Sequence, residues 1–186
     1  MTPGAEPLPV KLIVAHDELR GIGRGGTMPW HIPGESRWTS ETTRAAQPGH
    51  RNALIMGRTT YLSIPENRRP LFDRINIVIS SHHAALDDGA HRASGLREAL
   101  RLADAIDNVN AVYIFGGASI YRQALEQLVA DELLVSVVPG DHQCDTFFPE
   151  IPSVYSLTTT TTVQYGPCVV RHDRYVRTAD YAPMPR

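Results

Sequence analysis

The sequence predicts a single α/β domain built on a mixed, mostly parallel sheet. Short apolar runs alternate along the chain with segments of helical spacing, the order of a parallel sheet with covering helices. Several of those runs end on glycine or serine just before a helical segment. The last third is rich in Thr, Val and Tyr, with Gly166-Pro167 between two runs, the pattern of an antiparallel hairpin.

The elements follow in order. Val10 to Ala15 (VKLIVA) suits a buried strand. A glycine-rich loop, Gly21 to Gly26, leads to Met28-Pro29-Trp30. Glu35 to Arg44 reads as a helix entered through Pro33-Gly34. Asn52 to Met56 is a second strand, broken by Gly57, and Thr59 to Ser63 a short helix. Ile75 to Ile79 is a third strand. Ser94 with Glu98 close behind marks a helix start. Ala111 to Phe115 is a fourth strand, closed by Gly116-Gly117, and Ala118 to Leu128 a helix. Another strand lies within Asp131 to Val138, and the hairpin comprises Leu157 to Val163 and Cys168 to Tyr175. The expected domain spans 10–177, between tails at 1–9 and 178–186.

Composition narrows the function. The 186 residues are 42% apolar and 20% charged, a globular profile sized for one domain. A net charge of −2 gives no basic footprint for nucleic acid. No apolar run approaches the roughly 18 residues of a membrane span. Met1 to Pro9 lack the basic-then-apolar order of a signal peptide. Cys144 and Cys168 cannot form a disulfide framework or a zinc site by themselves, and the histidines show no HExxH-type spacing, so no metal is expected. Lys11 is the only lysine, which excludes a GxxxxGK[ST] phosphate loop.

Three glycine sites and one acid remain. Gly21-Ile-Gly-Arg-Gly-Gly26 formally matches GxGxxG, but Pro29 and Pro33 resist the helix that a dinucleotide fingerprint opens. It reads as a mobile loop beside a site or as a surface turn. Gly116-Gly117, between strand and helix, allows either close approach of a phosphate or tight packing. Gly57-Arg58-Thr59-Thr60 adds a guanidinium and hydroxyls, and Ser80-Ser81-His82 closes the next strand. Together they suit one phosphate, such as the 2′-phosphate of NADP, or ordinary capping of strand ends. Glu35 opens a helix. Facing inward it would have a raised pKa and bind a heterocycle; facing out it is a solvated helix-start acid.

These segments, taken together, resemble the dihydrofolate reductase family. The resemblance rests on Ile22-Gly-Arg-Gly-Gly-Thr-Met-Pro-Trp30 with Pro33-Gly-Glu35, Ile55-Met-Gly-Arg-Thr-Thr-Tyr61, and Arg69-Pro-Leu-Phe-Asp-Arg-Ile-Asn76 with Val78-Ile-Ser-Ser81. Tyr113-Ile-Phe-Gly-Gly-Ala-Ser-Ile-Tyr121 and Asp145-Thr-Phe-Phe-Pro149 complete it, from about Lys11 to Tyr175. It implies an eight-stranded mixed sheet and transfer of a hydride from C4 of NADPH to C6 of dihydrofolate, with a proton added at N5. Such a reaction supports one-carbon and thymidylate metabolism. A cytoplasmic monomer is expected, acting on a small molecule without nucleic-acid or membrane partners.

By the same resemblance Glu35, Trp30 and Ser136 are the catalytic set. Glu35 binds the pterin N3 and 2-amino group, Ser136 hydrogen-bonds the acid, and Trp30 holds a water. Ile13, Val14, Ser36, Thr39, Ile64, Leu71, Arg74 and Phe115 complete the substrate site, with Arg74 on the α-carboxylate of the folate tail. Ala15, Ile22, Gly23 and Met28 belong to the nicotinamide side, and Gly116, Gly117, Ala118, Ser119, Ile120, Tyr121 and Thr146 lie along the cofactor with Phe115. Gly57, Arg58, Thr59, Thr60, Ser80, Ser81 and His82 take the adenosine side and its 2′-phosphate. Ser36 and Thr39 depart from the family, which has apolar or aromatic walls there, and Trp38 is expected to point to the core. That departure bears on substrate affinity and antifolate binding, at about 1–3 kcal/mol for a lost aromatic contact. Two other readings fit less well: a reductase of a ribosylaminopyrimidine on the same fold, and a non-catalytic cofactor-binding module.

Overall fold

A computed structural model describes residues 7–81 and 86–178. Its main sheet has eight strands: β1 (Val10–Asp17), β3 (Arg51–Gly57), β4 (Ile75–Ile79), β5 (Ala90–Ala93), β6 (Val109–Gly116), β7 (Glu132–Val138), β9 (Tyr155–Tyr165) and β10 (Cys168–Arg177). Their order across the sheet is β5-β4-β3-β6-β1-β7-β10-β9. Pairings from β5 through β7 are parallel, and β10 runs antiparallel to both β7 and β9. The sheet is thus mixed, with a C-terminal antiparallel hairpin, as the sequence predicts.

The parallel strands are apolar because helices cover both sides of the sheet. Ala53 to Met56 are fully buried, and so are Ile77 and Val78. The edge strand β9 is exposed along most of its length and consists largely of threonine. Such a β-branched, polar residue suits a solvated edge.

Four helices sit in the connections: α1 (Pro33–Arg44), α2 (Arg58–Ser63), α3 (Leu96–Ala105) and α4 (Ala118–Glu126). Helix α1 begins two residues before the predicted start, because Pro33 is accommodated in its first turn. Proline lacks the N–H that this turn would leave unpaired. Helix α3 begins at Leu96, not Ser94; Glu98 reaches back to the Ser94 N–H at 2.8 Å. Helix α4 stops at Glu126, two residues short of the predicted end.

Four elements lie outside the sequence prediction. Strand β5 reads Ala-His-Arg-Ala and, among the described residues, pairs only with β4, so its residues need no apolar pattern. A short pair, β2 (Gly21–Gly23) with β8 (Thr146–Phe147), forms a separate two-stranded sheet. A single 3-10 turn spans Glu66–Arg68. The parallel strands β1, β3, β4 and β6 all end on one side, where loops leave a crevice, the place for ligands in open α/β sheets.

Candidate active site

A cleft of about 1320 Å³ runs across those strand ends. The ends of β1 (Ile13, Val14, Ala15) and β6 (Phe115) form its floor. One end is walled by α1 through Glu35, Ser36 and Thr39, with Ile64, Leu71 and Arg74 opposite. The other end holds Gly57, Arg58, Thr59, Thr60, Ser80 and Ser81. Gly117, Ala118, Ser119, Ile120 and Tyr121 run between them, and Ile22, Gly23, Met28 and Thr146 close the rim. Three predicted site residues do not line it: Trp30, Ser136 and Gly116. His82 lies outside the described residues.

Glu35 faces inward, although it occupies the first turn of its helix. It is 3% exposed. Burial pushes its pKa up, while hydrogen bonds from the Thr39 and Ser136 hydroxyls pull it back. Thr39 Oγ1 donates to Glu35 Oε1 at 2.9 Å, one helical turn along. Ser136, across the sheet on β7, is fully buried. Its Oγ also lies 3.0 Å from Nδ1 of His172. No cation is paired with Glu35 among the described ion pairs. Hydroxyls, not a positive charge, solvate this carboxylate.

Trp30 is buried against Ile32, Val138 and Val170. Its Nε1 is buried without a hydrogen-bond partner among the described residues. Arg74 Nη1 donates to Thr43 Oγ1 at 3.0 Å and its Nε to the Phe72 carbonyl at 2.9 Å, so the guanidinium is held at the cleft wall. Burial and the nearby Arg44 charge lower the Arg74 pKa.

The glycine sites resolve differently. No helix opens at Gly21 to Gly26: the segment pairs with β8, then turns through Gly25 and Gly26 at positive φ. The Asp145 carboxylate accepts from the Gly25 N–H at 2.7 Å, tying the loop to the β8 segment. The Gly116–Gly117 peptide is cis. Gly116 has φ 103°, and a side chain there would strike the Tyr121 ring. Tyr121 is itself pinned, its hydroxyl donating to the carbonyls of Ile13 (2.8 Å) and Phe115 (3.0 Å). Gly116 therefore serves tight packing, whereas Gly117 borders the cleft and caps α4.

The phosphate end can be tested against a cofactor. Arg58 lines the cleft, and its Nη1 is buried without a partner among the described residues. A buried guanidinium N–H without a partner, beside Thr59 and Thr60, fits an anionic phosphate. Among the described residues no cluster of three or more His, Cys, Asp or Glu could hold a metal. Cys144 and Cys168 are both free thiols. No described helix is long and apolar enough to cross a membrane.

A sequence model of dihydrofolate reductase matches residues 9–171. The chain belongs to the dihydrofolate reductase family. It is 37% identical to a dihydrofolate reductase of Drosophila melanogaster, over 77% of this chain and 81% of that one. It is 40% identical to that of Sus scrofa and 41% to that of Mus musculus, each over 77% of this chain and 80% of the other. As a member of this family the protein is an oxidoreductase.

Sequence reasoning missed several residues of this dihydrofolate reductase cleft. Ser40, Arg44, Arg68, Phe72 and Gln123 also line it. Arg44 lies nine residues beyond Glu35 on the same helix, half a turn out of phase with it, so helical spacing from the acid does not find it. Thr39, read as a lost aromatic wall, is also a donor to the acid. Trp38 is half-buried and packs on the His172 ring at a centroid distance of 4.1 Å, in line with its expected inward direction.

Proposed function

We propose that the protein reduces 7,8-dihydrofolate to 5,6,7,8-tetrahydrofolate with NADPH. The observation that carries this reading is one cleft lined by a buried carboxylate, Glu35, and by Arg58, whose Nη1 is buried without a partner among the described residues. Family membership supports the same reaction.

In this reading Glu35 accepts from N3 and the 2-amino group of the pterin and fixes its orientation. The Thr39 and Ser136 hydroxyls hold the carboxylate for that task. Its raised pKa lets the acid favour a proton at N5 through water, for which the Trp30 N–H is an available donor. Arg74 pairs with the α-carboxylate of the glutamate tail. Arg58, Thr59, Thr60, Ser80 and Ser81 would hold the 2′-phosphate and adenosine side of NADPH, and Gly117 to Tyr121 its pyrophosphate side. NADPH, when bound, supplies the hydride. Ala15 and Ile22, which line the cleft, would hold the nicotinamide, and the loop from Gly21 to Met28 would exclude water from it.

Absorbance-monitored NADPH oxidation with dihydrofolate, run beside NADH, tests this. Turnover that prefers NADPH is expected. Glu35→Gln is expected to cripple that turnover at neutral pH while leaving NADPH binding nearly unchanged. The polar Ser36 and Thr39 in the lining favour one second reading, a reductase of a smaller polar pyrimidine. NADPH binding without dihydrofolate turnover would select it.

A further inference from the structure

Asp17 closes β1 two residues beyond Ala15, behind the floor of the cleft. It is fully buried, and no cation pairs with it among the described ion pairs. Neutral donors engage both carboxylate oxygens instead. Oδ1 accepts from the N–H groups of Gly21 at 2.7 Å and Leu19 at 3.0 Å. Oδ2 accepts from the His142 N–H at 3.0 Å and the Cys144 thiol at 3.6 Å. Burial pushes the Asp17 pKa up, but the N–H groups of His142, Gly21 and Leu19 outweigh it and hold the carboxyl below its ordinary value. One buried anion thus ties the end of β1 to the start of β2 and to the connection between β7 and β8.

The tie bears on the cleft because β2 carries part of its rim. Ile22 and Gly23 line the cleft directly after Gly21. Asp17 and Gly21 are joined by a tight turn, with Arg20 at φ 64° and its N–H on the Asp17 carbonyl at 2.9 Å. Gly21 lies so close to the anchor that a side chain there would strike Cys144 and the Asp17 carboxylate. Beyond Gly23 the loop is held again, by the Asp145 carboxylate on the Gly25 N–H. The two anchors differ in their surroundings. The Asp145 bond is exposed, so water can replace either partner. The bond from Gly21 to Asp17 is buried, and breaking it would leave a charge and a donor away from water. The Gly21 end is therefore the fixed end of the rim.

We propose that Asp17 is a positioning residue for hydride transfer: its carboxylate holds the Gly21 N–H and so sets Ile22 against the nicotinamide end of the cleft. Asp17 touches neither substrate nor cofactor and acts through β2. A displacement of about 1 Å in a group that packs on a reacting ring can slow the chemical step roughly 100-fold. Affinities would change far less, because Glu35, Arg58 and Arg74 stand on other segments. The signature is a slow hydride step with near-normal binding. A carboxylate that only held the core together would lower stability and leave the hydride step of the folded protein alone. The inference deepens the proposed reaction and rests on Ile22 standing beside the nicotinamide.

Single-turnover kinetics with dihydrofolate, using NADPH deuterated at C4 beside ordinary NADPH, isolates that step. Asp17→Asn keeps the shape and removes the charge, and its amide has one acceptor oxygen for donors that now use two. A second variant keeps the test open should Asp17→Asn not fold. Glycolic acid in place of Gly21 puts an ester oxygen where the N–H was, which deletes the single bond to β2 and adds no side chain. Both are assayed at a temperature where urea unfolding shows them folded. Each is expected to slow hydride transfer about 10- to 100-fold, with a full isotope effect on the observed rate, while the Kd values of NADPH and dihydrofolate move less than about 3-fold. A hydride rate within about 2-fold of wild type in a folded variant overturns the proposal, as does a rate loss matched by an equal loss of NADPH affinity. Wild type that leaves dihydrofolate unreduced would overturn the proposed reaction itself. Wild type that reduces it, beside variants with an unmoved hydride step, overturns this inference alone.

Discussion

Thr39→Val removes one of the two hydroxyls that solvate Glu35, and its consequence can be worked through. The hydroxyl donates at 2.9 Å to a carboxylate that is 3% exposed. A hydrogen bond to a charged group contributes about 1.5–3 kcal/mol. With the Ser136 hydroxyl still beside the acid, a value around the bottom of that range applies, about 1–2 kcal/mol, or roughly one pKa unit. The sign follows from proton linkage. Burial raises the folded pKa of Glu35 above its unfolded value, so the folded state holds the proton more tightly. The stability this group contributes is fully present below the unfolded value, about 4.3, and is lost as pH rises through the folded one. Losing the Thr39 donor raises the folded value further and deepens the loss above it. Urea unfolding of both proteins is the assay. The variant is expected to be less stable by about 1–2 kcal/mol more at pH ~8 than at pH ~4. The ionisation that governs kcat/KM is expected to move up by about one unit. An equal stability difference at both pH values, or an unmoved rate profile, would refute the account of Glu35 as a hydroxyl-solvated acid.

Arg58→Gln removes a guanidinium whose Nη1 is buried without a partner among the described residues. It is expected to weaken NADPH binding about 10- to 100-fold, the worth of a charge-assisted contact, and to leave NADH binding nearly unchanged; equal losses for both, by fluorescence titration, would detach Arg58 from the 2′-phosphate. Gly116→Ala puts a methyl group on a residue at φ 103° whose added carbon lies 2.7 Å from the Tyr121 ring. A loss of about 1–3 kcal/mol in thermal or urea unfolding is expected, and wild-type stability would show that the Tyr121 anchor can shift freely.

The strands legible from continuous apolar runs are those whose burial is symmetric. Strands β3 and β4 are covered on both sides, so their residues form continuous apolar runs that announce themselves. Strand β5 is not legible, because an edge strand of Ala-His-Arg-Ala satisfies its backbone on β4 without any apolar pattern. The β2–β8 pair is invisible for another reason: its partners are over a hundred residues apart, and three residues of strand carry no period. At the site, the lining residues that follow strand ends, such as Gly57, Arg58, Ser80 and Gly117, were legible because the chain itself marks a turn there. His172 was not. Its contact with Ser136 spans 36 positions and depends on the antiparallel register of β10 on β7. Within its own strand, Cys-Val-Val-Arg-His-Asp-Arg, it looks like a surface residue.

Helix α1 concentrates the resulting trade-off. Glu35, Trp38 and Thr39 stand at spacings of three and four, so one helical face carries the acid, the ring that covers His172, and the hydroxyl that solvates the acid. An apolar side chain at Thr39 would offer a ligand more contact, worth about 1–3 kcal/mol. It would also strip a donor from a buried carboxylate that has no cation. Placing a hydroxyl there trades ligand contact for an acid that ionises closer to the ordinary carboxylate range. The Thr39 hydroxyl and the nearby Ser136 hydroxyl therefore act in the same direction, holding Glu35 available as an anion in a site whose burial would otherwise keep it protonated.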